Sequence, residues 1–320
     1  MSVFNEAYQQ TLGTGRLTLG LMTPAAREAG GMADPAVEIA VAQLADRLGF
    51  AALWTRDVPL MVPQGTGKGA AFETVPLDDP FLWLGLLASA TRRIAIGTAA
   101  AVLPLRHPLH LAKSALSLNR LSSDRFLLGL GSGDREPELA AFQQSLDTLP
   151  ETFRDYWKTV RAALSPDPAD RIALREITGG FDLMVAPTTR IPMLAVGSAR
   201  QSLQWIAANA DGWATYHREE GRQKGRIGLW QMALRERAGG EPKPFVQSLN
   251  LDLVEDPHAP AQAIELGIRA GRHALLDYLL RIEQLQVNHV LLHLARGSRP
   301  VAEVVEEIGV EIVPRLQGSS

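Results

Sequence analysis

The chain contains no cysteine. Disulfides, thiolate metal sites and cysteine nucleophiles are therefore excluded. A dominant charge is missing too. The 32 basic and 35 acidic residues leave a formal net charge of −3, which offers no broad attraction for nucleic acid or an anionic membrane. No apolar run approaches the ~18 residues that a membrane helix needs. The opening MSVFNEAYQQTLGTG lacks the apolar core of a signal peptide, so a cytoplasmic location is expected. His107 and His110 have no carboxylate or third histidine placed with them, so no metal is expected. Neither a linker nor a short-period repeat divides the sequence. Its 320 residues, 46% of them hydrophobic, can build one large core or two modest ones, and with no linker in sight the expectation is one domain over residues 1–320.

What is present is best read from residues 94–134. Ile94, Ile96 and residues 99–103 form an almost continuous apolar run, as in a strand buried on both faces. Small residues crowd it at Gly97, Thr98, Ala99, Ala100 and Ala101, which lets a backbone or a flat ligand come close. Pro104 and Pro108 stop the strand, and residues 110–121 resume with helical spacing. Residues 126–130 are a second short strand, interrupted by Gly129, Gly131 and Gly133. Strand, helix and returning strand make a βαβ unit with parallel strands.

Further strand patterns occupy residues 17–22, 51–54, 193–196, 212–216, 245–254 and 287–294. Asp34-Pro35 opens a helix that Gly49 ends, and Asp79-Pro80 opens another that runs to Thr91. A broad helix follows Asp134 to near Leu164. Others cover residues 201–209, 223–237 and 271–285, and a last one starts near Pro300. Residues 165–190 read as irregular, with Gly179-Gly180 as a hairpin turn. Residues 58–77 form a Gly- and Pro-rich loop of the length of a functional lid. Within it, Gly65-Thr66-Gly67-Lys68-Gly69 has glycine where a P-loop needs Ser or Thr. Eight alternations of strand and helix give an α/β fold, a (β/α)8 TIM barrel with insertions after strands 2 and 4. A doubly wound open sheet is the alternative, but its glycine fingerprint is missing from the first turn, Met22-Thr23-Pro24.

Chemistry in such a barrel sits at the C-terminal ends of the strands. Those ends carry Met22, Thr23, Arg56, Asp57, Thr98, Ala99, Ala100, Ser132, Gly133, Asp134, Arg135, Gly197, Ser198, Tyr216, His217, Asn250, Asp252 and His293. The third strand offers a floor of small side chains. Gly197-Ser198-Ala199 reads as a turn running straight into a helix, with free N–H groups for a phosphate. A flat ring over small residues with a phosphate at a helix start describes a mononucleotide cofactor such as FMN. Asp134-Arg135 reads as a capping and salt-bridge pair. Arg56 and Asp57 read either as groups that orient a substrate or as a structural ion pair.

Several segments resemble the bacterial luciferase-like flavin monooxygenases and the related deazaflavin-dependent oxidoreductases. Residues 96–108, IGTAAAVLPLRHP, are similar to the third strand of that family, and residues 124–133, DRFLLGLGSG, to its fourth. Trp54-Thr55-Arg56-Asp57 and Gly197-Ser198-Ala199 fit as well. The resemblance implies a luciferase-like barrel, FMN or a deazaflavin coenzyme as cofactor, and a cis peptide at Ala99–Ala100 under the ring. It implies a phosphate held by Ser198 with Gly197 and Ala199. It also implies a further contact at Gln201, with Ser132 and Gly133 near the cofactor tail and Tyr216 bordering the ring. The family's histidine after strand 2 is absent, which leaves Arg56 and Asp57 as the candidate catalytic groups there. The implied function is an FMN-dependent monooxygenase acting on a small organic substrate with O2. Its reduced flavin would come from a separate NAD(P)H-dependent reductase. A deazaflavin-dependent hydride-transfer enzyme and a non-catalytic flavin-binding protein are the alternatives. A homodimer is expected by analogy.

Overall fold

Eight apolar segments become the parallel strands of a closed barrel in a computed structural model that describes residues 3–13, 15–25, 31–60 and 76–318. They are β1 (Thr18–Thr23), β2 (Ala52–Thr55), β3 (Ala95–Val102), β4 (Phe126–Gly131), β5 (Met193–Val196), β6 (Gly212–Tyr216), β7 (Phe245–Leu253) and β10 (His289–His293). Each pairs in parallel with the next, and β10 closes the ring on β1 and β7. Side chains alternate across such strands. Trp54, Ala95, Leu127, Leu194, Ala214, Val246 and Leu291 fill the interior. Their chain neighbours Leu53, Ile96, Leu128, Ala195, Phe245 and Leu292 pack outward into the layer under the helices.

The helical layer follows the caps. Asp34 caps α2 (Pro35–Arg47) and Asp79 caps α3 (Pro80–Ala90), each with proline in the first turn. α4 (Pro108–Leu121) begins earlier than the periodicity predicts, because His107 accepts the Leu109 N–H and caps it. The remaining helices after β5 to β10 are α8 (Leu203–Asn209), α9 (Glu220–Arg237), α10 (Arg272–Gln284), α11 (Val301–Glu311) and α12 (Val313–Gln317). Among the described residues, no helix is long and apolar enough to cross a membrane.

Four elements differ from the sequence reading. The broad helix after Asp134 is two, α5 (Glu136–Ala141) and α6 (Leu149–Ala163). The segment taken as irregular contains α7 (Pro168–Thr178), and Gly179 is its left-handed C-cap at φ 71°, not a hairpin turn. A hairpin of β8 (Gln262–Ile264) and β9 (Gly267–Ala270) extends β7 outside the ring. Finally, α1 (Glu6–Thr11) packs against the barrel's N-terminal end, where Ala7 and Leu12 join the interior cluster. Buried Asn5 fixes it, since its Nδ2 donates to Asn119 Oδ1 at 2.8 Å and to the Phe126 carbonyl at 2.7 Å. Residues 61–75, most of the expected lid and its Gly65-to-Gly69 run, lie outside the described residues.

Candidate active site

α1 covers part of the N-terminal end, and the C-terminal ends of the strands form the mouth opposite it. Its floor comes from a bulge between β3 and β4. Thr98 faces Leu128 and Ala101 faces Leu130, so Ala99 and Ala100 together oppose Gly129. The Thr98 hydroxyl braces the bulge. It donates to the Gly129 carbonyl at 2.7 Å and accepts the Gly129 N–H at 3.0 Å. A Cβ on Gly129 would lie 2.1 Å from the Thr98 carbonyl oxygen, so only glycine fits. The Ala99–Ala100 peptide is cis. A Cβ on Gly131 would sit 3.3 Å from that of Ala100 and 4.0 Å from the Val196 carbonyl. Ala99, Ala100 and Gly131 thus form a low apolar surface bordered by β5.

Strand alternation places the walls. Interior Trp54 donates its indole N–H to His289 Nε2 at 3.0 Å. Arg56, two residues beyond Trp54, and His293, four beyond His289, therefore share their inward direction. Tyr216 follows interior Ala214 by two residues and stays 54% exposed at the rim. Asn250 pairs in register with His293 and shares that wall. His293 and Asn250 were visible as strand ends. The signal that separates them from outward neighbours is their even spacing from a residue known to face inward, and for His293 that residue is His289.

The candidate residues separate into those that face the mouth and those that hold it. Asp57 is buried and accepts Arg106 Nε and Nη2, both at 2.8 Å, and the Val102 N–H at 3.0 Å. Its carboxylate is the structural half of an ion pair, and the partner is Arg106 rather than Arg56. Thr98 spends its hydroxyl on Gly129. Gln201 is tied to α6, donating to the Pro150 carbonyl at 2.9 Å and accepting Arg154 Nη1 at 3.2 Å. Ser132 is buried at the end of β4, beside half-buried Gly133.

The Gly197-to-Ala199 turn does not run straight into a helix. α8 starts at Leu203 under the cap of Ser202. Residues 197–200 form their own turn, with Gly197, Ala199 and Arg200 at φ 67°, 48° and 53°. Ser198 is exposed, and its hydroxyl accepts the Arg200 N–H at 3.3 Å. Among the described residues, the N–H groups of Ser198 and Ala199 have no acceptor. Free N–H groups of a turn can receive an anion without a helix dipole.

The electrostatics of the mouth centre on Tyr216. Although the side chain as a whole is half exposed, desolvation at the mouth and the Asp134 carboxylate push its hydroxyl pKa up, and the Arg56 and Arg135 guanidinium groups oppose the rise. Arg135 occupies the N-cap position of α5 without a side-chain capping bond, so the capping role expected for Asp134-Arg135 is not taken up. Glu138, which the sequence reading missed, is buried one turn along α5. Its carboxylate accepts the Leu60 N–H at 3.3 Å, and burial raises its pKa. His217 points outward, its Nδ1 3.0 Å from the Tyr278 hydroxyl. A cavity of about 250 Å³ lies at the other end of the barrel, among the starts of β1, β2 and β3. Cavity size therefore does not locate this site. The strand ends do.

Comparison with known proteins agrees with the barrel fold. The family model for luciferase-like monooxygenases matches residues 15–262. An uncharacterized protein of Mycobacterium tuberculosis is 32% identical over 199 residues, covering 59% of this chain and 67% of the relative. The F420-dependent hydroxymycolic acid dehydrogenase of the same organism is 27% identical over 288 residues, covering 86% and 72%. Among solved structures, a monooxygenase from Streptomyces bottropensis superposes with a TM-score of 0.71 at 17% identity, covering 93% of this chain and 99% of that one. The oxygenating constituent of 3,6-diketocamphane monooxygenase from Pseudomonas putida, in complex with FMN, gives 0.67 at 13% identity, covering 94% and 99%.

Proposed function

The chain belongs to the luciferase-like monooxygenase family, whose members are flavin- or F420-dependent oxidoreductases, and we propose that it is an FMN-dependent monooxygenase of small organic substrates. The observation that carries the cofactor reading is the floor. Ala99, Ala100 and Gly131 leave a surface of no more than methyl groups at the mouth, and Gly129 is fixed as glycine by the bulge beneath it. A planar isoalloxazine needs such a surface, and the residues present fit it. The turn at Ser198 and Ala199 lies at the end of β5, beside that floor, and supplies N–H donors and a hydroxyl for a phosphate. Ser132 and Gly133 would border the cofactor tail. Gln201 would act by holding the turn against α6, and Tyr216 would close the ring's edge.

Reduced flavin, when bound, supplies the electrons with which dioxygen is activated for oxygen transfer. The chain's own part is to orient and to exclude water. Asp57 and Arg106 hold the segment under β3 in place. Arg56, His293 and Asn250 form the polar wall against which the substrate is oriented. On the same reading, residues 1–320 form one barrel domain that works as a cytoplasmic homodimer fed by a separate NAD(P)H-dependent reductase. The deazaflavin reading keeps the same floor and differs in transferring hydride without oxygen. The F420-dependent relative supports it.

Fluorescence titration tests the cofactor. Ser198→Ala should weaken FMN about tenfold, the loss of one charged hydrogen bond of ~1.4 kcal/mol. Oxygen uptake with reduced FMN should then follow on adding substrate. Binding of coenzyme F420 in preference to FMN would move the reaction to hydride transfer.

A further inference from the structure

The β3 bulge is braced on both sides. On the β4 side the Thr98 hydroxyl holds Gly129. On the β2 side the brace is Asp57, beyond the last ladder pair, Thr55 with Thr98. Its backbone N–H donates to the Ala100 carbonyl at 3.1 Å, and its carboxylate accepts the Val102 N–H at 3.0 Å. Arg106 grips that carboxylate and also reaches past it. Its Nη2 carries two N–H groups. One donates to Asp57 Oδ1 at 2.8 Å and the other to Asp79 Oδ2 at 2.9 Å. The second oxygen of Asp79 caps α3, accepting the Phe81 N–H at 2.9 Å and the Leu82 N–H at 3.2 Å. The guanidinium also lies over the Phe81 ring, 5.3 Å from its centroid. Direct contacts thus run from the carbonyl of a floor alanine to the first turn of α3. The Asp57 side chain is 3% exposed and that of Asp79 38%, so the Asp57 end is the fixed one and the Asp79 end the one that yields.

We propose that Arg106 is a positioning residue of the cofactor floor. Through Asp57 it sets Ala100 and Val102, and through Asp79 it makes that setting depend on the start of α3. The inference rests on the reading of the β3 bulge as a flavin floor. Linkage of this kind is reciprocal. A ligand over Ala100 steadies the first turn of α3, and loosening Asp79 weakens that ligand.

Asp79→Asn is the selective variant. Asparagine still caps a helix through its oxygen, but its amide NH2 faces Arg106 Nη2 as donor against donor. Arg106→Gln removes the whole tie. Amide hydrogen exchange is measured on the full chain for wild type, both variants and the double variant, without ligand and with saturating FMN or coenzyme F420. Without ligand, Asp79→Asn should speed exchange of the Val102 amide by about threefold or more, and should add nothing once Arg106 is glutamine, because the two act as one unit. With ligand, wild type should gain protection at Val102 and also at Leu82 and Trp83. In Asp79→Asn the gain should be confined to Val102, and the ligand should bind about threefold more weakly or worse. Additive effects of the two substitutions would overturn the proposal. So would a bound ligand that leaves α3 unprotected in wild type, or that protects it equally in Asp79→Asn. Should wild type bind neither cofactor while the two substitutions remain non-additive, the flavin reading fails and the tie from Asp79 to the bulge stands.

Discussion

The two glycines of β4 that flank Leu130 should respond in opposite ways to the same added methyl group. Gly129→Ala drives a Cβ to within 2.1 Å of the Thr98 carbonyl, so overpacking of about 3 kcal/mol is expected, read as a lower urea midpoint. Gly131→Ala meets the Ala100 methyl at 3.3 Å and the Val196 carbonyl at 4.0 Å. It should keep stability within about 1 kcal/mol while weakening flavin binding. Asp57 gives a second contrast between holding and reacting. Asp57→Asn removes the charge that anchors Arg106, and unfolding should become easier by about 2 kcal/mol. If Asp57 were instead a reacting group, turnover would collapse with stability intact. In the sequence, Asp57 was legible as a strand-end carboxylate, but its partner 49 residues away was not. Neither was the commitment of the Thr98 hydroxyl to the bulge, because both depend on register between strands.

At the scale of elements, the eight-fold alternation was legible because buried parallel strands are short apolar runs and their helices carry caps. The misread elements had signals too. Pro137 and Pro150 sit in the first turns of α5 and α6, and proline there marks a helix start rather than an interior position. Reading one broad helix meant running across both. Gly179 was correctly seen as a break, but a left-handed glycine closes a helix as readily as it turns a hairpin. The short β8–β9 hairpin shows almost no periodicity over strands of three and four residues. Nothing local announced that α1 packs against the barrel end, since its docking depends on Asn5 reaching Asn119 and Phe126. Asn5→Ala leaves those two acceptors unpaired, and a loss of about 2 kcal/mol is expected by thermal or urea unfolding.

The whole molecule should be acid-sensitive through the barrel interior. His289 is completely buried, and burial lowers its pKa from 6.5 to about 3. Trp54 is a donor only, so His289 Nε2 accepts and Nδ1 carries the proton toward Thr18 Oγ1 at 2.7 Å. The folded state therefore holds a neutral ring where the unfolded chain takes up a proton. Its contribution is fully present above about pH 6.5 and falls as pH drops toward 3, by at most ~1.4 kcal/mol per pH unit. His289→Asn should flatten that part of the stability–pH curve.

The central claim is that the alanines of the β3 bulge floor a flavin site, and one titration tests it most directly. Ala100 is half-buried in the β3 bulge, so Ala100→Leu adds bulk at the floor on which the ring is proposed to lie. FMN fluorescence quenching should be saturable in wild type and lost, or weakened by at least about a hundredfold (~2.7 kcal/mol), in the variant, with the unfolding midpoint unchanged. Equal FMN affinity in the two proteins would contradict the account and remove the flavin from this floor.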